Sequence, residues 1–375
     1  MDYRVISTDN HIIEAPNTWS DYLPAEYKDR APRIMRGADG GDGWSFDGKP
    51  PTNTFGLNAV AGRPFEEYKV SGLKFEEILP GNYDGAEHIK DLDRDGVDAA
   101  SIYPLASLSA YTVEDREFRL ALIRAYNDWL IDEFCAVDPK RLLALPLAPV
   151  DDDMRVLLAE SERVIDKGAK GLFIPFFAKV PYYDRYYDPF WKLVSEAGVP
   201  VTIHRTMGGV APKSEATPMT DAAPGLNVAG IVERFFTGVG PFSRLVFTGL
   251  FERFPKLKFI DAEVNAGWLP FWLQMMEQEF DRQRHWANPP LSTPPSEFVG
   301  KNLFVTMLDD YVGFELAKLD ERVAHAAMFS TDYPHSTTLF PKSAGYINKL
   351  TVGLPEDRKH AILAGNAARV FNLAA

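Results

Sequence analysis

The side chains best suited to chemistry lie far apart along the chain and share one local context: each follows a short apolar run. The first run leads into Asp9-Asn10-His11, with Glu14 one step on, and the fifth into His204-Arg205. The sixth leads into Glu263 and the eighth into Asp332-Tyr333-Pro334-His335. Three of the seven histidines therefore stand at such ends, together with carboxylates. Imidazole nitrogen and carboxylate oxygen together suit a divalent first-row ion such as Zn, Mn or Fe. Residues two apart on an extended segment point the same way, so Asp9 and His11 can grip one ion. His204 and Asp332 then complete a site with a position open to water or substrate. Any one of these residues alone is more simply read as a hydrogen-bonded core histidine or a helix cap; their coincidence reverses that reading.

The elements that must position them follow from the apolar pattern. Eight runs rich in β-branched and aromatic residues cover 3–8, 97–103, 142–148, 171–175, 200–203, 257–262, 302–307 and 326–330. Most are apolar at consecutive positions, as expected of strands covered on both faces. Helical spacing fits 115–136, 151–166, 187–197, 224–237, 268–284 and 355–372. Alternation of strand and helix predicts an α/β fold, a (β/α)8 TIM barrel, as one domain over 1–375. In such barrels catalytic groups sit at the carboxyl ends of the strands. Residues 36–85 keep neither period and read as a long insertion after the first strand, a lid or a subunit contact, or else a packed decoration.

Composition limits the function. With 46% hydrophobic residues the chain has material for a large core, and 40 basic against 53 acidic residues, net −13, repel nucleic acid and anionic lipid. The single cysteine, Cys135, excludes an internal disulfide and a thiolate cluster. No run reaches the ~18 apolar residues of a membrane span, and no basic-then-apolar leader opens the chain. The expectation is a cytoplasmic protein with a small-molecule substrate, no nucleic-acid or membrane partner, and association into a homo-oligomer, a dimer above all.

The stretches STDNHIIEAP, HIKDLDRDGVDAASIYP, YNDWLIDEF, DPFWKLVSEAGVPVTIH, GLFERFPKLKFIDAEVNAGWLP, FSTDYPHSTTLFP and ILAGNAARVF resemble the amidohydrolase-related branch of the amidohydrolase superfamily. That branch includes aminocarboxymuconate-semialdehyde decarboxylase-like enzymes. The resemblance runs nearly end to end and implies a (β/α)8 barrel with a divalent metal. It puts Asp9 where many relatives have the first histidine of an HxH pair, with His11 on the second. His204 falls on the strand-five ligand, and Asp332 on the strand-eight aspartate that contacts the metal and acts on a proton. Two positions depart from the family: DAEVNAGW offers Glu263 where decarboxylases have a histidine, and Lys170 precedes the fourth strand, so no bridging carbamate forms at its end.

The remaining groups have alternative roles. His335 is a proton donor, a second ligand or a partner of Glu263. Glu263 is a base, an orienter of a metal histidine or a ligand to a second ion. Glu14 bridges two ions or caps the next turn, and Arg205 clamps a substrate carboxylate or balances charge. His88, His285, His325 and His360 are structural. With Asp9, His11, His204 and Asp332 around one ion, two reactions are open: non-oxidative decarboxylation of a small carboxylated substrate, or hydrolysis by metal-bound water. Glu14, Glu263 and His335 add enough donors for two ions, so a dinuclear iron oxygenase is an alternative. A structural partner of an active paralogue, in a hetero-oligomer, is another.

Overall fold

All eight apolar runs form strands in the computed structural model, which describes residues 3–51, 53–211 and 224–373. The first is β1, Ile6–His11. A two-stranded antiparallel hairpin follows, β2 Arg33–Arg36 with β3 Asp42–Ser45. The others are β4 Ala99–Tyr103, β5 Leu142–Ala144, β6 Leu172–Phe173, β7 Val201–His204, β8 Phe259–Ala262, β9 Leu303–Met307 and β10 Ala327–Phe329. They build an α/β fold of parallel strands in two sheets, ordered β1-β4-β5 and β10-β9-β8-β7-β6. Every residue of these eight strands is buried, which is why they are apolar at successive positions and not at alternate ones.

The two faces separate cleanly. Leu172, Val201, Phe259, Leu303 and Phe329 pack into one cluster with helix residues such as Phe190, Trp191 and Phe242. Their strand neighbours Phe173, Ile260, Phe304 and Met328 pack into another with Ile102, Tyr103 and Leu143. Between β5 and β6, Leu147 pairs in parallel with Phe173, and the Ala148 N–H donates to the Phe173 carbonyl at 2.9 Å. Between β10 and β1, the Thr8 hydroxyl donates to the Phe329 carbonyl and the Asp332 N–H to the Asp9 carbonyl, both at 2.9 Å.

The helices expected at 115–136 and 268–284 are present as Arg116–Trp129, extended by a π turn at Leu130–Phe134, and Leu269–Ala287. The single helix expected over 355–372 is instead Glu356–His360, a π turn at Ala361–Gly365 and Asn366–Val370. The widened turn leads into Asn366, whose buried amide donates to the Ala324 and Ala327 carbonyls at 2.7 and 2.8 Å.

Segment 36–85 carries more order than its sequence pattern conveys. Besides the β2–β3 hairpin it has 3-10 turns at Phe65–Glu67, Phe75–Glu77 and Pro80–Asn82. Phe55, Ala59, Val60, Leu73 and Ile78 bury against Ile13. At Gly56 a β-carbon would collide with the Val70 carbonyl, so that crossing admits only glycine. The N–H groups of Val60 and Ala61 both donate to the Pro334 carbonyl at 3.1 Å, tying the segment to the loop that follows Asp332.

Helix Gly85–Asp95 begins at Asp84, whose side chain accepts from the Ala86 and Glu87 N–H groups, and ends at left-handed Gly96. It buries His88, with Nδ1 2.8 Å from the Gly81 carbonyl and Nε2 3.1 Å from the Asn10 amide. The two partners fix the tautomer: Nδ1–H donates and Nε2 accepts. Among the described residues no helix is long and apolar enough to cross a membrane.

Burial pushes His88 down to about 4, against its bond to Gly81. An unfolded histidine takes a proton near pH 6.5, whereas the folded one refuses it until about 4, so stability is full above 6.5 and falls as pH drops through this window. The loss from this residue reaches roughly 3 kcal/mol. Denaturant unfolding at pH 7 and pH 4.5 should show a smaller pH-dependent decline for His88→Gln than for the unsubstituted chain. Equal declines would reject the assignment.

Candidate metal centre

Strand geometry delivers the site residues to one place. Asp9 and His11 lie two apart on β1, His204 is the last residue of β7, Glu263 follows β8 directly and Asp332 lies just past β10. Arg205, Glu263 and Asp332 have φ of 38°, 59° and 51°, left-handed values that non-glycine residues avoid. Such backbone costs on the order of 1–3 kcal/mol per residue and persists where the surroundings enforce it, commonly at functional sites.

His11 Nε2 and His204 Nε2 are 2.9 Å apart, and Asp9 Oδ1 is 3.3 Å from each. Asp332 Oδ1 is 3.7 Å from His11 Nε2 and 3.3 Å from His335 Nδ1, and the His335 ring stacks on His11 with centroids 3.9 Å apart. Glu263 Oε2 is 3.5 Å from His204 Nε2, and its other oxygen pairs with the Arg205 guanidinium. Asp9, His11, His204 and Asp332 are at most 1% exposed. Tyr103, its hydroxyl on Thr202, walls the site with its ring centroid 5.7 Å from His11 and 5.4 Å from His204.

The donors fit a cation. His11 Nδ1 faces the Pro104 carbonyl at 3.4 Å, where it donates, leaving a lone pair on Nε2 directed at the other donors. Asp9 Oδ1 and Asp332 Oδ1 are buried and without a hydrogen-bond partner among the described residues. Bonds of about 2.0–2.2 Å to a first-row ion set neighbouring donors roughly 3.0–3.5 Å apart, and the 2.9 and 3.3 Å separations here match. Three overlapping donor sets arise: Asp9, His11 and His204; His11, Asp332 and His335; Asp9, Glu263 and Asp332.

Electrostatics agree with ionised aspartates beside a neutral His11. Burial would raise Asp9, but His204 and His11 hold it below the usual carboxylate range. Burial likewise opposes, and His335 enforces, a lowered Asp332. His11 is pushed down to about 4 by burial and by His335. Arg205, stacked over the Phe235 ring at 4.6 Å, is lowered by burial to about 10 and keeps its charge at neutral pH.

The structure thus brings together Asp9, His11, His204, Glu263, Asp332, His335 and Arg205. Of the two roles open to Glu14, its contacts match the cap of the next turn: Oε1 accepts from the Leu105 and Ser107 N–H groups at 3.2 and 2.8 Å, and Oε2 from Ala106 at 2.9 Å. Three residues past the end of β1, it has left the mouth and serves the amides opening the turn Ala106–Thr112. Arg205 lies in the site with Glu263 as its partner. Two residues escaped the sequence reading: Thr306, whose hydroxyl lies 3.5 Å from Asp9 Oδ2, and Thr337, which donates to Asp332 Oδ2. A threonine in a strand or loop carries no spacing signal; Tyr103, ending the second run, was visible by the strand-end rule.

The amidohydrolase family model matches residues 80–373, and the chain belongs to that family. Decarboxylase orsB of Emericella nidulans is 26% identical over 216 residues, 56% of this chain and 64% of its own length. The 2-keto-4-carboxy-3-hexenedioate hydratase of Sphingobium sp. is 26% identical over 332 residues, 83% of this chain and 88% of its own. The crystal structure of 5-carboxyvanillate decarboxylase LigW from Sphingomonas paucimobilis matches over 100% of both chains, with TM-score 0.68 and 22% identity. A dihydroxybenzoic acid decarboxylase from Polaromonas sp. JS666, solved with manganese and 2-nitroresorcinol, covers 99% of this chain and 98% of its own, with TM-score 0.65 and 18% identity. At these identities the solved structures share the fold. Family membership and these relatives support an enzyme, a metal-dependent hydrolase or carboxy-lyase.

The capping role of Glu14 is testable. Glu14→Gln should destabilise the fold by about 1–3 kcal/mol, because a buried amide array loses part of its acceptor, and leave the metal content of the folded protein unchanged. Thermal unfolding with elemental analysis decides it; loss of an ion without loss of stability would restore Glu14 as a ligand.

Proposed function

We propose that this chain is a metal-dependent carboxy-lyase that removes CO₂ from a small, unsaturated or aromatic carboxylate, its two sheets forming the arcs of one (β/α)8 barrel. The seam hydrogen bonds beside Leu147 and Asp9 support closure. Segment 36–85 is then a lid, held by Val60 and Ala61 to the Pro334 carbonyl. Asp9, His11, His204 and Asp332 hold a divalent ion, Mn, Zn or Fe, and Glu263 and His335 are the groups nearest for a second. When bound, the ion polarises a substrate oxygen.

The observation that carries the reading is Asp332. Ionised, buried and with one oxygen free, it is placed to take a proton and return it. Asp332 takes a proton from the incoming substrate's hydroxyl or acid group. The bond between ring or chain carbon and carboxylate carbon breaks, its electron pair stays on the former, and CO₂ leaves. Asp332, or His335 at 3.3 Å, delivers the proton to that carbon. Arg205, held by Glu263, offers its remaining N–H groups to a substrate carboxylate. Glu263 orients His204 and Arg205. The fungal decarboxylase relative agrees with this reaction.

The Sphingobium hydratase, which matches over most of both chains, favours a second reading. There Asp332 takes the proton of a water whose oxygen adds to a carbon–carbon double bond beside a carboxylate.

Incubation of Mn-reconstituted protein with hydroxybenzoates and unsaturated polycarboxylates, followed by mass spectrometry, separates the two as loss of CO₂ or gain of water. Asp332→Asn should lower turnover by about 10²–10⁴-fold, and His11→Ala with His204→Ala should abolish ion uptake. Full turnover after exhaustive chelation would refute both readings, and two Fe per chain with O₂ consumption would establish the oxygenase instead.

A further inference from the structure

Asp9 and Asp332 are presented to the site in the same way. In each, Oδ1 is buried, without a hydrogen-bond partner, and turned toward the imidazoles, while Oδ2 meets a threonine hydroxyl. Thr306 serves Asp9 at 3.5 Å and Thr337 serves Asp332. Both threonines are also tied to Glu263. The Glu263 N–H donates to Thr306 Oγ1 at 2.7 Å, so that hydroxyl is turned toward Asp9; Thr337 Oγ1 lies 3.3 Å from Glu263 Oε1.

The geometry has a physical consequence. The last torsion of an aspartate is broad and nearly two-fold, so an unheld carboxylate offers either oxygen over a wide range of angles. A hydroxyl fixed on Oδ2 removes that freedom and leaves Oδ1 as the oxygen presented. Hydrogen bonds of this kind to ligating groups orient them and strengthen metal binding. Thr306 is buried on β9 and cannot be changed without disturbing the interior. Thr337 is exposed, on the loop after β10, and its hydroxyl has Asp332 and Glu263 as its partners among the described residues.

We propose that Thr337 is a positioning residue for the metal centre: its hydroxyl, donated to Asp332 Oδ2, fixes the carboxylate plane of Asp332, as Thr306 does for Asp9. The inference rests on the metal-dependent reading above. Because Thr337 lies outside the core, its role is separable from folding.

The test is calorimetric titration of the chelator-stripped full chain with Mn(II), alongside circular dichroism and thermal unfolding. Thr337→Val and Thr337→Ala should keep the spectrum and melting temperature and weaken Mn(II) binding by about 10–100-fold; Thr337→Ser, which keeps the hydroxyl, should restore it. With Mn(II) saturating, the Val variant should lose kcat more than it gains KM, since the displaced group is Asp332. Unchanged Mn(II) affinity in Thr337→Val overturns the proposal, as does a Ser variant no better than Val, or a Val variant that loses its fold. If the unsubstituted chain takes up no Mn(II), Zn(II) or Fe(II), the metal-dependent reading itself fails, which the first titration reveals before any variant is made.

Discussion

Three carboxylates that repel one another are the constraint on which the site depends. Asp9, Glu263 and Asp332 each place an oxygen within 4.8 Å of the other two, and none is more than 5% exposed. At an effective dielectric of about 20, two unit charges at that spacing cost roughly 3 kcal/mol, and three such pairs roughly 10. That is comparable with the whole stability of an ordinary domain. Arg205 answers one of the three charges through Glu263. The remaining pair, Asp9 and Asp332, is held ionised by imidazoles and has no guanidinium or ammonium partner among the described residues. A divalent cation held there would supply the charge that balances them, and ion and fold would then be coupled: binding it would contribute stability as well as chemistry.

The parallel sheets make such crowding attainable. Each strand is fixed by its neighbours along its length, so the residue after its last hydrogen bond emerges at a defined point. The left-handed turns at Arg205, Glu263 and Asp332 bend the chain sharply there, holding each side chain at the mouth while the loop departs. Cross-ties then lock adjacent loops: the Asp332 N–H reaches the Asp9 carbonyl, the His11 N–H the Tyr333 carbonyl, and the Arg205 N–H the Ala262 carbonyl. The backbone strain is distributed over three positions that are each held from two sides.

Most of this arrangement was legible in the sequence, for a reason that also explains the omissions. Strands buried on both faces are mostly apolar at successive positions, so the eight runs stand out, and the polar residues at or beyond their ends mark the mouth. That rule locates Asp9, His11, His204, Glu263 and Asp332, because each stands within three residues of a strand's end. It does not separate Glu14, equally near the end of β1, whose carboxylate turns instead to amides that need an acceptor. It is silent on Thr306 and Thr337, because a hydroxyl's role depends on what lies opposite it across the fold. Helix Gly85–Asp95 was missed although its signals, Asp84 at one end and Gly96 at the other, are written in the chain. Its charged residues dilute the apolar period, and its burial comes from His88 and Leu92 alone at the centre. The β2–β3 hairpin was missed because it turns outward: three of the four β2 residues are exposed, so no apolar alternation records it.

The replacement of a histidine by Glu263 has a further effect on how the site handles protons. A carboxylate that accepts from a guanidinium has no proton to give, so Glu263 in this pairing suits orientation rather than acid catalysis. On the proposed reading, proton movement would fall to the opposite side of the site, to Asp332 and the His335 ring that stacks on His11. His335 Nε2 is without a hydrogen-bond partner, and Nδ1 faces Asp332, so one ring joins the buried aspartate to whatever occupies the mouth. On the reading proposed above, the same pair would serve removal of CO₂, where the proton goes to carbon, and addition of water, where it comes from oxygen. The site has the two walls that reading needs, a cationic one at Arg205 and Phe235 and an aspartate–imidazole one at Asp332 and His335, so the proposed outcome would turn on which substrate atom is set between them.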